Sequence, residues 1–184
     1  MQRQTMILPV VTLLALLFAA TPWGSAAAAD EKWGPFRGRI VDIDTGQPIP
    51  GGVAMAIWLE IIPTPVQTNH KFYDVRVGVS DQDGVFEIPR REPPFFSSRI
   101  ERRPLFDYFA PGYGLVGLVT APDATRIAQM RKRTALSQEE RLRDPGTGNV
   151  DWIPQEKLIE LTRSVNAQRQ GMGLRSIPSL RGGP

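Results

Sequence analysis

The side chains that ordinarily carry chemistry are few in this 184-residue chain: it has no cysteine and one histidine, His70. Without cysteine there is no thiolate nucleophile, no thiolate metal ligand and no disulfide to support a thin core. One histidine excludes a His-rich zinc site, and a serine triad would have to recruit His70 itself. His70 closes the segment Pro63-Thr-Pro-Val-Gln-Thr-Asn-His70, whose prolines predict a loop, and a lone loop histidine reads as a solvated polar residue. No Gly-x-Ser-x-Gly elbow is present to lift a serine out of a strand-to-helix turn. The sequence therefore assigns no catalytic, cofactor-binding or metal-ligating residue.

Three further groups of residues have chemistry to offer. Asp42 with Asp44, and Asp81 with Asp83, are each two apart around a turn and could present oxygens to Ca²⁺. Calcium takes six to eight oxygens, and no glutamate follows at the spacing of an EF-hand loop. The plainer role is to accept hydrogen bonds from their own turn amides. Trp33, Trp58, Tyr113 and the pair Phe95-Phe96 would stack on carbohydrate if they lined one surface, although Trp58 ends an apolar run and reads as core. Arginines cluster twice, over residues 90–103 and 126–133, where they would face anionic lipid or polymer. Glu92, Glu101, Glu139 and Glu140 lie near enough to make a solvated charged surface the simpler reading. Lys and Arg exceed Asp and Glu by 3 in the whole chain, too slight an excess to point to nucleic acid.

The elements that must position these residues begin with a leader. Residues 1–29 combine a basic start at Arg3, an apolar run over 7–20 and the small-residue stretch Ala26-Ala-Ala-Ala29, the pattern of a cleavable export signal. The apolar run is shorter than the roughly 20 residues that span a membrane and contains Pro9. With no cysteine to lipidate, the expected location is periplasmic or secreted.

Over residues 33–120 apolar runs alternate with Asp/Gly turns, predicting strands at 36–43, 51–61, 72–79, 85–88, 104–110 and 114–120. The run from Val53 to Leu59 is continuous, as for a strand buried on both faces. Residues 90–103 read as a long loop in which Pro93-Pro-Phe-Phe96 folds its aromatic pair back over one end. Beyond residue 120 helical spacing takes over: Ile127 with Met130, a capping box at Ser137-Gln-Glu-Glu140 broken by Pro145-Gly-Thr-Gly148, and a last helix opened by Pro154. Its stripe of Leu158, Leu161 and Val165 stops at Gly171, and residues 175–184 read as a mobile tail. The expected division is a sandwich at 33–120, a helical extension at 121–174 and a tail at 175–184.

The phrase Gly38-Arg-Ile-Val-Asp-Ile-Asp-Thr-Gly-Gln-Pro-Ile-Pro-Gly-Gly52, the strand ending in Trp58, the turn Asp81-Gln-Asp-Gly-Val-Phe-Glu-Ile88 and the segment Pro111-Gly-Tyr113 together resemble the carboxypeptidase regulatory-like domain. That resemblance covers about half of the chain left after residue 29, and Gly52 departs from the alanine more usual there. It implies a prealbumin-like Greek-key antiparallel β-sandwich of six to seven strands, here with a C-terminal α-helical appendage. It also implies a non-enzymatic accessory, adhesive or structural module of exported proteins, and contributes no catalytic residue. Related sandwiches that are enzymes differ: intradiol dioxygenases need two His and two Tyr for iron, and hydroxyisourate hydrolases need several histidines and a terminal Tyr-Arg-Gly-Ser, where this chain ends Leu180-Arg-Gly-Gly-Pro184. The expectation is an envelope or periplasmic binding or structural module. The partner expected is an envelope protein or a cell-wall polysaccharide; a carbohydrate- or peptidoglycan-binding module is the first alternative and a hydrolase using His70 the second.

Overall fold

A computed structural model of the chain describes residues 32–121, 123, 125–139 and 150–180. Its strands are β1 (Phe36–Asp42), β2 (Val53–Pro63), β3 (Thr68–Val79), β4 (Val85–Ile88), β5 (Leu105–Phe109), β6 (Tyr113–Thr120) and β7 (Arg126–Lys132), followed by one long helix, α1 (Gln155–Gly171). They form a four-stranded sheet in the order β4-β1-β7-β6 and a three-stranded sheet in the order β3-β2-β5. Neighbours are antiparallel except β1 and β7, which run parallel, so the sandwich is not the wholly antiparallel one expected.

The continuous apolar run of β2 serves two cores, because successive side chains leave a strand on opposite faces. Ala54, Ala56 and Trp58 face the other sheet, packing with Trp33, Phe36, Ile40, Phe86, Ile88, Tyr108 and Met130. Val53, Met55, Ile57 and Leu59 face outward and meet Leu158, Leu161 and Val165 of α1. The expected stripe is thus buried on the outer face of the smaller sheet, and each of its side chains stabilises by roughly 1.5–3 kcal/mol when withdrawn from water.

Three readings of the C-terminal part are corrected. Residues 126–132 form a strand, not a helix: Ala128 and Met130, two apart, are both buried, and pairing on both sides with β1 and β6 overrides the helical spacing of Ile127 and Met130. Residues 175–180 are docked rather than mobile, since Ile177 and Leu180 are buried in the outer core and Asn166 bonds both the amide and the carbonyl of Ile177, at 2.8 and 2.9 Å. Pro154 is the N-cap of α1, not its first residue, and the chain leaves the helix through Gly173 at φ +72°, a conformation that favours a residue without Cβ. One further correction falls upstream: Thr68, Asn69 and His70 belong to β3, paired with Pro63, Ile62 and Ile61, so His70 is a strand residue. The expected signal at 1–29, the break at Pro145-Gly-Thr-Gly148 and the end of the capping box at Glu140 lie outside the described residues.

Candidate functional site

The first aspartate of each pair is occupied by its own turn. Asp42 Oδ1 accepts from the amides of Asp44 and Thr45, and Asp81 Oδ1 accepts from those of Asp83 and Val85. Asp44 in turn binds the guanidinium of Arg131 at 2.9 Å. Among the described residues no group of three or more His, Cys, Asp or Glu side chains converges as a metal site would require.

The aromatic candidates separate. Trp33 and Trp58 are stacked at 6.1 Å inside the core, where the indole N–H of Trp58 donates to the Lys32 carbonyl at 2.7 Å. Tyr113 packs against the same core. Phe95 and Phe96 do the opposite of folding back: they are 94 % and 62 % exposed, with ring planes at 89° and centroids 4.9 Å apart.

The loop that carries this pair joins β4 to β5 and is fastened at its base. Arg91 is the main tie. Its amide donates to the Trp33 carbonyl, its Nε to Asp74 Oδ2 at 2.7 Å and its Nη2 to the Tyr73 hydroxyl at 2.8 Å. Its guanidinium lies 4.5 Å from the Tyr73 ring centroid and 5.5 Å from that of Trp33, geometry suited to cation–π attraction. Lys32 Nζ donates to the carbonyls of Ser97 and Ile100, around a single 3-10 turn at Ser97–Arg99. The return arm is held by buried Ile100, which bridges to Glu60 of β2, and by the Glu101 amide, which donates to the Leu59 carbonyl.

His70 meets this return arm. Its Nε2 is 2.6 Å from Glu101 Oε1, so a carboxylate does orient the imidazole. Arg102 and Arg103 follow, both exposed, and with Glu101 they line an open cleft of about 430 Å³. Among the described residues no serine hydroxyl is hydrogen-bonded to His70. A larger groove of about 540 Å³ runs between α1 and the docked tail, lined by Gln155, Ile159, Thr162, Arg163, Gln170 and Pro178. It is lined by amide, hydroxyl and aliphatic groups with Arg163 its one charge, and brings no acid–base pair together.

The β4–β5 loop therefore carries the exposed pair Phe95-Phe96 together with four exposed arginines, Arg90, Arg99, Arg102 and Arg103. The Arg99 guanidinium lies 5.5 Å from the Phe96 ring centroid. The β2–β3 hairpin ends on the same side, with Ile62 40 % and Val66 93 % exposed. The arginines and the phenylalanines are visible separately in the sequence. Arg91 and Glu101 are not visible there as the residues that hold the loop in place, because their side-chain partners lie 17 to 31 residues away and no local spacing marks them.

No family model, curated protein or solved structure matches this chain. Among the described residues no helix is long and apolar enough to cross a membrane. The class defined by the structure is a mainly β protein, two sheets of four and three strands with one helix packed on the smaller.

Proposed function

We propose that the chain is a non-enzymatic binding module of the cell envelope or periplasm, of the carboxypeptidase regulatory-like kind, and that its β4–β5 loop is the recognition element. The observation that carries this reading is the exposure of Phe95 and Phe96 on a loop whose base is tied down by Arg91, Lys32 and Ile100. A protein that buries Trp33 and Trp58 completely yet leaves two phenylalanines in water, on a loop already ordered, has an apolar surface ready for a partner at little ordering cost. Seven strands in two sheets agree with the resemblance drawn from the Asp/Gly turns.

The carbohydrate-binding alternative draws less support. Sugar stacking favours a flat row of aromatic faces, whereas the two phenylalanines are perpendicular and Trp152, 43 % exposed, lies in the segment leading to α1. The hydrolase alternative rests on one specific observation, the 2.6 Å contact of His70 with Glu101, and among the described residues no serine or threonine hydroxyl is hydrogen-bonded to the imidazole.

The test is site-specific photo-crosslinking in the native cell envelope, with a photoreactive phenylalanine at position 95 and, as control, at Leu118 on β6, which is 53 % exposed. The expected result is an adduct from position 95 and none from 118. No adduct at 95, or equal labelling at both, overturns the assignment of the loop. Turnover of an ester, peptide or glycan substrate that is abolished by H70Q would replace the reading with the hydrolase.

A further inference from the structure

We infer that the partner of the β4–β5 loop is an anionic lipid surface, with Phe95 and Phe96 entering the boundary between headgroups and acyl chains and the surrounding arginines meeting lipid phosphates. The inference rests on the assignment of this loop as the recognition element and adds the chemistry of what it recognises.

Shape is the first argument. Phe95 is 94 % exposed, so almost no part of its ring is covered by its own protein, and the tip projects rather than recedes. A projecting apolar tip needs a partner that yields around it, and Pro93-Pro94 at its base limits how far it can fold back. The end of the β2–β3 hairpin, with Ile62 and Val66 exposed at the same end of the sandwich, widens the apolar footprint.

Charge is the second argument. Residues 90–103 hold five arginines and two glutamates. Arg91 is absorbed by Asp74 and Tyr73, which leaves Arg90, Arg99, Arg102 and Arg103 facing water against two carboxylates, Glu92 and Glu101, the latter hydrogen-bonded to His70. Cations flanking exposed aromatics match the layering of a lipid interface, in which negative phosphates lie a few ångströms above hydrocarbon. Arg99, stacked against Phe96, would stand at phosphate level while the ring goes deeper, the arrangement by which long cationic side chains keep their charge wet. A soluble polyanion would satisfy the arginines and leave both rings in water. An uncharged apolar pocket would take the rings and leave four guanidinium groups unmatched.

The test is flotation of the chain from Asp30 onward, which retains every described strand, the helix and both cores, with vesicles of phosphatidylcholine alone and of phosphatidylcholine mixed with phosphatidylglycerol. Dextran sulfate serves as a polyanion without hydrocarbon. The expected result is binding to the anionic vesicles at least about tenfold tighter than to the neutral ones, weakened by salt. The variant Phe95→Ser/Phe96→Ser should lose at least about tenfold in vesicle binding and keep its retention on dextran sulfate. Because both rings are exposed, its thermal melting should match the parent's, so a loss cannot be ascribed to unfolding. Equal vesicle binding by parent and variant, no preference for anionic vesicles, or no vesicle binding overturns the lipid assignment. The photo-crosslink separates this from failure of the module reading: a protein or polysaccharide adduct at position 95 defeats the lipid assignment alone, a lipid adduct supports both, and no adduct defeats both.

Discussion

Glu101 Oε1 lies 2.6 Å from His70 Nε2, and this contact fastens the return arm of the β4–β5 loop to β3, 31 residues earlier in the chain. In a hydrolase the pair would orient a general base. Here it stands beside two arginines in the loop proposed for recognition, and its structural consequence is to fix where Arg102 and Arg103 emerge.

The first prediction concerns that tie. The two side chains are 29 % and 37 % exposed, so solvent screens the pair and His70→Gln or Glu101→Gln should cost no more than about 1 kcal/mol in urea unfolding. The larger effect should be local. Trypsin should cut after Arg102 several-fold faster in either variant, since the return arm loses its side-chain anchor.

The second concerns the closeness of the two sheets at their edge. Gly78 of β3 lies against the backbone of Glu87 in β4, and a Cβ built on Gly78 would overlap the Glu87 carbonyl. Neither backbone can retreat without opening both sheets, so Gly78→Ala should cost at least about 2 kcal/mol or prevent folding. Gly171, at the end of α1, has nothing within 4 Å of the same position, and Gly171→Ala should be neutral or stabilise by up to about 1 kcal/mol. Melting temperatures of the two variants, measured together, check both statements.

The third concerns alkali. Burial pushes the Tyr108 phenol up from 10.0 to about 12; Arg126 opposes this and Asp107 adds to it. The neutral phenol is the form the folded chain favours, so its contribution to stability is complete below pH 10 and is lost as pH rises toward 12. The loss should reach about 3 kcal/mol, and Tyr108→Phe should flatten the fall across this window. Phenolate absorbance should show a late-ionising step that is missing from Tyr108→Phe.

How much of this was legible in the sequence depends on the range of the interactions. The run Val53 to Leu59 announces a two-sided strand because side-chain type alone encodes burial on both faces, and the Asp42 and Asp81 turns declare themselves because their bonds are two to four residues long. β7 was illegible for a physical reason: its alternation amounts to Ala128 and Met130 between charged ends, and pairing with β6 on one side and with β1, far away in the chain, on the other makes it a strand. The docked tail likewise depends on Asn166 and on an outer core that no local pattern reveals. At the candidate site the residue types were visible, but the exposure of Phe95 and Phe96 follows from Trp33, Trp58 and Phe36 having already filled the interior.

The fourth prediction tests how the helix is joined to the sandwich. Arg169 is buried, donates from Nη1 to the Gly51 carbonyl and from Nε to the Arg175 carbonyl, and pairs with no carboxylate among the described residues. Burial holds its guanidinium below the ordinary arginine value. Arg169→Met keeps the volume but leaves two carbonyls without this donor, so urea unfolding should show a loss of about 1–3 kcal/mol. Arg169→Lys, with one nitrogen for two acceptors, should recover only part of it.

The central claim is that the exposed aromatic pair, and not the His70–Glu101 contact, is what the molecule uses. The most direct measurement is a binding titration of the chain from Asp30 onward against its own isolated cell envelope, comparing the parent with Phe95→Ser/Phe96→Ser and with His70→Gln. The account predicts a loss of at least about tenfold for the phenylalanine variant, unchanged binding for His70→Gln, and equal melting of the parent and the phenylalanine variant. Equal binding by the parent and the phenylalanine variant would contradict it.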